Sequence, residues 1–224
     1  MACLWENEPS EDLIQRIVPD GCVDLIWFAD RELLIEGPDT GPRLVPLPGL
    51  VRVSGIRLRP GAAAAVLGIP MSELRDHAAP VPVSLVWGEQ GRRLEEALAN
   101  AAPDLRLGLL AEAVGKRGAE PDTLVRATAQ MLIERDIRVE SIAAELGLSE
   151  RHLQRRLVTS VGYGPKMLAR VARLRRLLAL SDRSLAARAL DAGYSSQAHM
   201  NLEVRQLTGT TPVRFLKDAV FTAA

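Results

Sequence analysis

VESIAAELGLSERHLQRRLVTSVGY, residues 139–163, reads as a short helix, a turn at Gly147 and a second helix opened by Ser149. Ile142, Ala143 and Leu146 recur at helical spacing and so share one face. Gly147 follows the last of them, where a left-handed stop costs least without a Cβ. Ser149 is placed to cap the next helix by accepting a bond from a free backbone N–H. That helix turns Leu153 and Leu157 inward and leaves Arg151, His152, Gln154 and Arg155 outward. Ala143, four residues before the glycine, is small enough for the two helices to cross closely. The pattern is a helix-turn-helix, whose second helix is shaped to enter a DNA major groove.

The same grammar recurs in SLAARALDAGYSSQAHMNLEVRQLTG, residues 184–209, with Ala189 four before Gly193 and Ser195 or Ser196 as the cap. Gly193 follows Gly147 by 46 residues, and each unit ends on a glycine with a proline three residues on, Gly162 with Pro165 and Gly209 with Pro212. The stretch between the two glycines is one residue longer in the second unit. A lone Ala-x-x-x-Gly arises by chance in alanine-rich sequence; two units with matching caps and exits do not. Between them GPKMLARVARLRRLLALSD, residues 164–182, predicts a long helix with Met167, Leu168, Val171, Leu174, Leu177 and Leu178 as its buried stripe. Such a spacer would hold both second helices to one side of a duplex, about 34 Å apart.

From about residue 121 to 218 the chain resembles the DNA-binding domain of the AraC/XylS-type transcriptional regulators. The likeness rests on LSERHLQRRL, GYGPKMLARVARLRRLLAL, ALDAGYSSQAHMN and LTGTTPVRF. It implies base-facing positions at Arg151, Gln154 and Arg155 behind the Ser149 cap, and at Gln197, His199, Asn201 and Arg205 in the second unit. The chain departs from the family's pattern at Leu202, where an arginine is usual, and at Met200 and Val204, where phenylalanine is usual.

With 224 residues, 47% of them apolar and 25% charged, the chain has material for two modest soluble domains with real cores. Lys and Arg balance Asp and Glu at 28 each, so net charge does not point to a polyanionic partner. The distribution does: from Ala119 onward there are 16 basic and 11 acidic residues, against 12 and 17 before it. A basic half joined to an acidic one fits a nucleic-acid domain attached to something else. Two cysteines, Cys3 and Cys22, make neither a metal quartet nor a disulfide scaffold. No run approaches the roughly 18 apolar residues of a membrane span. The acidic start MACLWENEPSEDL lacks the basic and apolar regions of a signal peptide, so a cytoplasmic location is expected.

No catalytic constellation is visible. His77 reads as surface, and His152 and His199 lie on the two outward helices. A glycine-rich phosphate loop, a His-x-x-x-His pair and a Cys-x-x-Cys are all missing, so neither a cofactor nor a metal is expected. Two alternatives to a regulator stay open at this point: a DNA-repair alkyl-transfer regulator using Cys22, and an interaction protein that has lost DNA binding.

The first half differs in texture. A turn at Pro19-Asp20-Gly21 leads into the apolar run Cys22–Phe28, broken by Asp24, which reads as a strand. RELLIEG reads as its neighbour, and LVPLPG and VRVSGIRLRPG as further strands, the last spaced like an edge with a bulge at Gly55. GAAAAVLG, PMSELRDHA with Ser72 as a cap, and residues 89–101 and 104–117 read as helices. Inward positions in the last two are Leu94, Ala97 and Leu98, then Leu107, Leu110, Ala113 and Val114; APVPVSLVWG before them reads as extended. VPDGCVDLIW, VPLPG and GIRLRPGAAAAVLG resemble a small sensor-like domain found ahead of this DNA-binding pair in some regulators; the wider family's cupin-like barrels, which bind small effectors, are a looser analogy. Asp24, Trp27 and Arg57 are the candidate ligand-binding residues.

The expectation is therefore an α+β protein. A small β-rich, barrel-like sensor or dimerisation domain with helices spans 1–118, and an all-α domain of two helix-turn-helix units joined by a long helix spans 119–224. The expected partners are double-stranded DNA, a small-molecule effector, a second copy in a homodimer and, for an activator, RNA polymerase; a membrane is not among them.

Overall fold

The computed structural model describes residues 2–118, 120–135, 137–180 and 184–218. Strands β1 (Ala2–Asn7), β2 (Leu13–Ile17), β3 (Val23–Phe28), β4 (Glu32–Glu36), β5 (Arg43–Leu47), β6 (Val53–Leu58) and β7 (Val81–Pro82) fill the first third. An antiparallel sheet runs β1-β6-β3-β4-β7, and β2 and β5 form a separate two-stranded ribbon. The expected β-rich half is thus present, as an open sheet with two edges and a ribbon rather than a closed barrel.

Alternation along β3 sends Val23, Leu25 and Trp27 to one face and Asp24, Ile26 and Phe28 to the other. The first face is the core: these three are 0–1% exposed and meet Ile56 and Leu58 of β6. It is covered by α1 (Ala63–Leu67), α2 (Val83–Trp87), α3 (Glu89–Asn100) and α4 (Pro103–Lys116), which bring Val66, Leu67, Trp87, Leu98 and Leu110. At about 1.5–3 kcal/mol for each large apolar side chain buried, this layer is what stabilises the half.

Four local expectations are corrected. Val53–Leu58 is not an edge strand with a bulge. It lies between β1 and β3 in unbroken register, and Gly55 is there because a Cβ would come within 2.5 Å of the Trp5 ring lying over it. PMSELRDHA does not become a helix beyond a single 3-10 turn at Met71–Glu73, which has no side-chain cap. Asp76 takes a left-handed φ of 55°, and its carboxylate is held by the N–H and hydroxyl of Thr40. The extended reading of APVPVSLVWG holds for β7 only. A strand would put Val83, Leu85 and Trp87 on one face, whereas helix α2 buries the first and last and leaves Leu85 77% exposed. Ala97 and Leu178, expected inward, are exposed.

The second half is helical: α5 (Thr123–Glu134), α6 (Val139–Glu145), α7 (Glu150–Val161), α8 (Pro165–Ala179), α9 (Leu185–Asp191), α10 (Gln197–Thr208) and α11 (Pro212–Asp218). Asp122 caps α5, accepting from the N–H groups of Leu124 and Val125. Helix α8 serves two cores. Its first turns give Leu168 and Val171 to a cluster with Val125, Ile142, Leu153 and Leu157. Its last turns give Leu174 and Leu177 to a cluster with Ala189, Met200, Val204 and Leu207. One rod therefore fixes both helical units. Ser181 and Asp182, the end of the stretch read as this helix, and Ala119, the first residue of the second expected domain, lie outside the described residues.

Candidate nucleic-acid interface

The two units are built by the same local chemistry. Gly147 and Gly193 take φ of 67° and 87°, the left-handed region that a side chain would strain. In the first turn Leu148 N donates to Ala143 O at 2.8 Å, and in the second Tyr194 N donates to Ala189 O at 2.9 Å. Both alanines are at most 2% exposed, so each sits at the crossing of its two helices. Ser149 Oγ accepts from His152 N at 3.2 Å, and Ser196 Oγ accepts from His199 N at 3.1 Å. Between the two candidate caps of the second unit the structure selects Ser196. Helices α7 and α10 have the same length, 12 residues, so the extra residue of the second unit falls in the turn before the cap. Both end on left-handed glycines, Gly162 (φ 91°) and Gly209 (φ 69°).

The outward faces differ. On α7, Arg151, Gln154 and Arg155 are exposed. Gln154 lies back over Gly164, where a Cβ would approach its amide to 2.3 Å. On α10, Gln197 and Arg205 are exposed and Asn201 is half-buried. His199 is turned inward: Nδ1 meets Ser195 Oγ at 3.0 Å and Nε2 meets Glu203 Oε1 at 3.2 Å. The remaining exposed positions of α10 are Ala198, Gln206 and Leu202, the last 59% exposed.

Between the units lies a cleft of about 920 Å³ with α8 along its wall, lined among others by Arg138, Arg151, Gln154, Lys166, Arg170 and Glu203. Glu203 is 8% exposed and bound by Arg173 through two nitrogen–oxygen pairs, at 2.7 and 3.1 Å. Arg170 reaches Gln206 Oε1 at 2.6 Å, and Arg176 donates to the Ala192 carbonyl at 3.0 Å. These arginines of α8 act first as scaffold. Across the lining, Arg138, Arg151, Lys166, Arg170 and Arg173 stand against Glu140, Glu150 and Glu203, so the wall is mixed in charge with an excess of two basic groups.

Residues 142–218 match the model of a helix-turn-helix domain, and residues 1–80 match that of a domain of unknown function (DUF6597). The segment 142–218 is a helix-turn-helix domain of the AraC type. No curated protein matches the chain. Among solved structures it is similar to an apo variant of ToxT from Vibrio cholerae strain SCE256, at 12% identity and a TM-score of 0.49, over 97% of this chain and 96% of that one. It is also similar to ToxT from Vibrio cholerae O395, at 11% identity and a TM-score of 0.48, again over 97% and 96%. Among the described residues no helix is long and apolar enough to cross a membrane.

The first half is fastened to both units of the helix-turn-helix domain. Arg75 donates to the Gly162 carbonyl at the end of α7, at 3.1 Å, and Arg16 to the Thr208 carbonyl at the end of α10, at 2.7 Å. A cation at a helix C-terminus satisfies an orphan carbonyl and complements the dipole. The loop between β2 and β3 lies at the junction: Val18 packs on the second helical core, and Gly21 faces Val161 and the Tyr163 hydroxyl. Sequence reasoning missed Arg16, Arg75 and Glu203, whose partners are remote in the chain or arise only on folding.

Asp24 and Arg57, two of the candidate ligand residues, meet each other. Asp24, 9% exposed, accepts from Arg57 Nε at 3.0 Å, from its Nη2 at 2.8 Å and from Trp5 Nε1 at 3.2 Å. Hydrogen bonding to Asp24 raises the Arg57 guanidinium further, against burial. Arg57 also reaches Asp20 at 3.2 Å, while Asp20 shapes its turn by accepting from Cys22 N at 2.8 Å. Trp27, the third candidate, points the other way into the core at 1% exposure. Burial, helped by Asp20, pushes the Cys22 thiol up, which disfavours the thiolate an alkyl acceptor needs.

Proposed function

We propose that the protein is a sequence-specific DNA-binding transcriptional regulator whose first half sets how its two recognition helices are held. The observation that carries this reading is that two serine-capped helices of equal length are packed on one shared rod, α8, with Arg151 and Arg155 exposed on the first of them. Arg151 and Arg155 lie four apart on α7, so one face presents two guanidinium forks suited to guanine O6 and N7 or to phosphate. Arg16 and Arg75 support the regulatory half of the proposal. A small effector that shifts the sheet or its ribbon would reach the ends of both recognition helices through these two side chains and the β2–β3 loop.

The test is binding of the full chain to selected duplexes across a salt series, with Arg155→Ala beside it. The wild type is expected to lose affinity steeply with salt. Arg155→Ala is expected to bind about 1–3 kcal/mol more weakly and to lose discrimination at one base pair. Unchanged affinity and unchanged preference in the variant would refute α7 as the reading helix.

A further inference from the structure

Counted from their serine caps, Ser149 and Ser196, the two recognition helices align residue by residue through to Gly162 and Gly209. Buried positions agree in kind: Leu153 with Met200, and Leu157 with Val204, all at 0% exposure. The second position of each helix is outward, and so is the sixth. In α7 these are Arg151 and Arg155; in α10 they are Ala198 and Leu202. An i, i+4 pair of guanidinium forks in one helix is thus replaced by an i, i+4 apolar pair in the other, at matching places on the same kind of surface.

An exposed leucine flanked by Gln197, Asn201 and Arg205 gains nothing in water, and Leu202 belongs to none of the three apolar cores. Its surroundings are continuous with the proposed DNA-binding face. In a major groove the one apolar feature on a base edge is the 5-methyl group of thymine, against which alanine and larger apolar side chains pack. Neither Ala198 nor Leu202 can donate to guanine O6 and N7, so a guanine there would lose its hydration without a replacement.

We infer that α10 reads thymine methyl groups through Ala198 and Leu202, while α7 reads hydrogen-bonding edges through Arg151 and Arg155. The operator is then chemically asymmetric, with a thymine-bearing half facing the second unit. This inference rests on the DNA-binding reading above and adds the chemistry of one half-site to it.

The experiment begins with selection of bound duplexes from a random pool by the full chain. The half-site whose preference relaxes in Arg155→Ala is assigned to α7, and the other half to α10. Each dT of the selected site is then replaced by dU, which removes only the methyl group. Affinity is expected to fall about fourfold per methyl lost at one or two positions in the α10 half. Leu202→Ala, an exposed position whose truncation leaves the core intact, is expected to bind the dT and dU forms of one such position equally. Leu202→Arg is expected to move the preference there toward guanine. Full discrimination retained by Leu202→Ala, or dU tolerated throughout the α10 half by a protein that still selects a site, overturns the inference. A pool that returns no bound sequence instead removes the DNA-binding reading itself.

Discussion

Helices α7 and α10 are alike at their ends and unlike along their faces. Each opens on a serine, ends on a left-handed glycine and has its last carbonyls gripped by an arginine from the first half of the chain. Their side anchors have opposite sign. Arg156 of α7 reaches out to Asp122 at 2.6 Å, tying the helix to the start of α5. At the matching place α10 carries Glu203, which draws Arg173 and Arg170 of α8 and His199 of its own helix inward. The helix with arginines at its second and sixth positions is anchored by a cation to a cap aspartate, and the helix with an apolar pair there by an anion to the rod. The caps and C-terminal grips are shared, which keeps the two helices alike in length and end; under the proposed DNA-binding reading each would meet its own half-site with its own outward residues.

The largest expected effect comes from breaking the inward anchor. Glu203→Ala leaves Arg173 beside a partly buried site with no carboxylate, and removal of one partner from such a pair costs about 3 kcal/mol. Thermal unfolding should show the loss, and footprinting should show protection retained at the α7 half and lost at the α10 half. Loss of both halves together would mean that α8 transmits the damage and that the two units do not fail independently.

A smaller effect separates the two grips from the first half. Arg16→Ala removes the bond to the Thr208 carbonyl and is expected to cost about 2 kcal/mol; Arg75→Ala, at a side chain 43% exposed, about 1 kcal/mol. Amide hydrogen exchange is the sharper measure. Arg16→Ala should speed exchange in the last turn of α10 and spare α7, and Arg75→Ala should do the reverse. Equal loosening of both helices in either variant would show that the β2–β3 loop, not the arginines, carries the coupling.

What the sequence made legible follows the range of the interactions. Both helix-turn-helix units could be read because their signals are local: Ala143 and Gly147, Ala189 and Gly193, and serines three residues from the N–H groups they cap. Even there the choice between Ser195 and Ser196 needed coordinates, since one extra turn residue moves the cap without changing the pattern. The sheet was readable strand by strand from Val23 to Leu58, but its order was not. Gly55 looked like a bulge because the Trp5 ring that requires a glycine there lies 50 residues away in the chain. Residues 70–78 looked helical until Asp76 proved to be held by Thr40 across the fold. Arg16 meets Thr208 across 192 residues, and no periodicity announces such a contact. Asp24 and Arg57 could be picked out as unusual but not as partners, for pairing depends on β3 and β6 being neighbours in register.

The outward anchor gives the smallest and most selective effect. Burial would raise the Asp122 carboxyl, but the bond from Arg156 and the N–H of Val125 outweigh it and hold the group below its ordinary 3.8. A carboxyl whose folded value is lowered adds stability that is present above the unfolded value and is lost as pH falls through the folded one. Asp122→Asn keeps a capping oxygen and removes the charge, so the comparison isolates the pairing with Arg156. Wild type should therefore unfold at a higher temperature than the variant at neutral pH, and this advantage should shrink as pH falls below about 4. A difference in Tm that stays constant down the whole acid range would show that the cap geometry, common to both proteins, holds α7 against α5. The cation anchor would then be ornamental, and the opposition between the two helices would reduce to Glu203 alone.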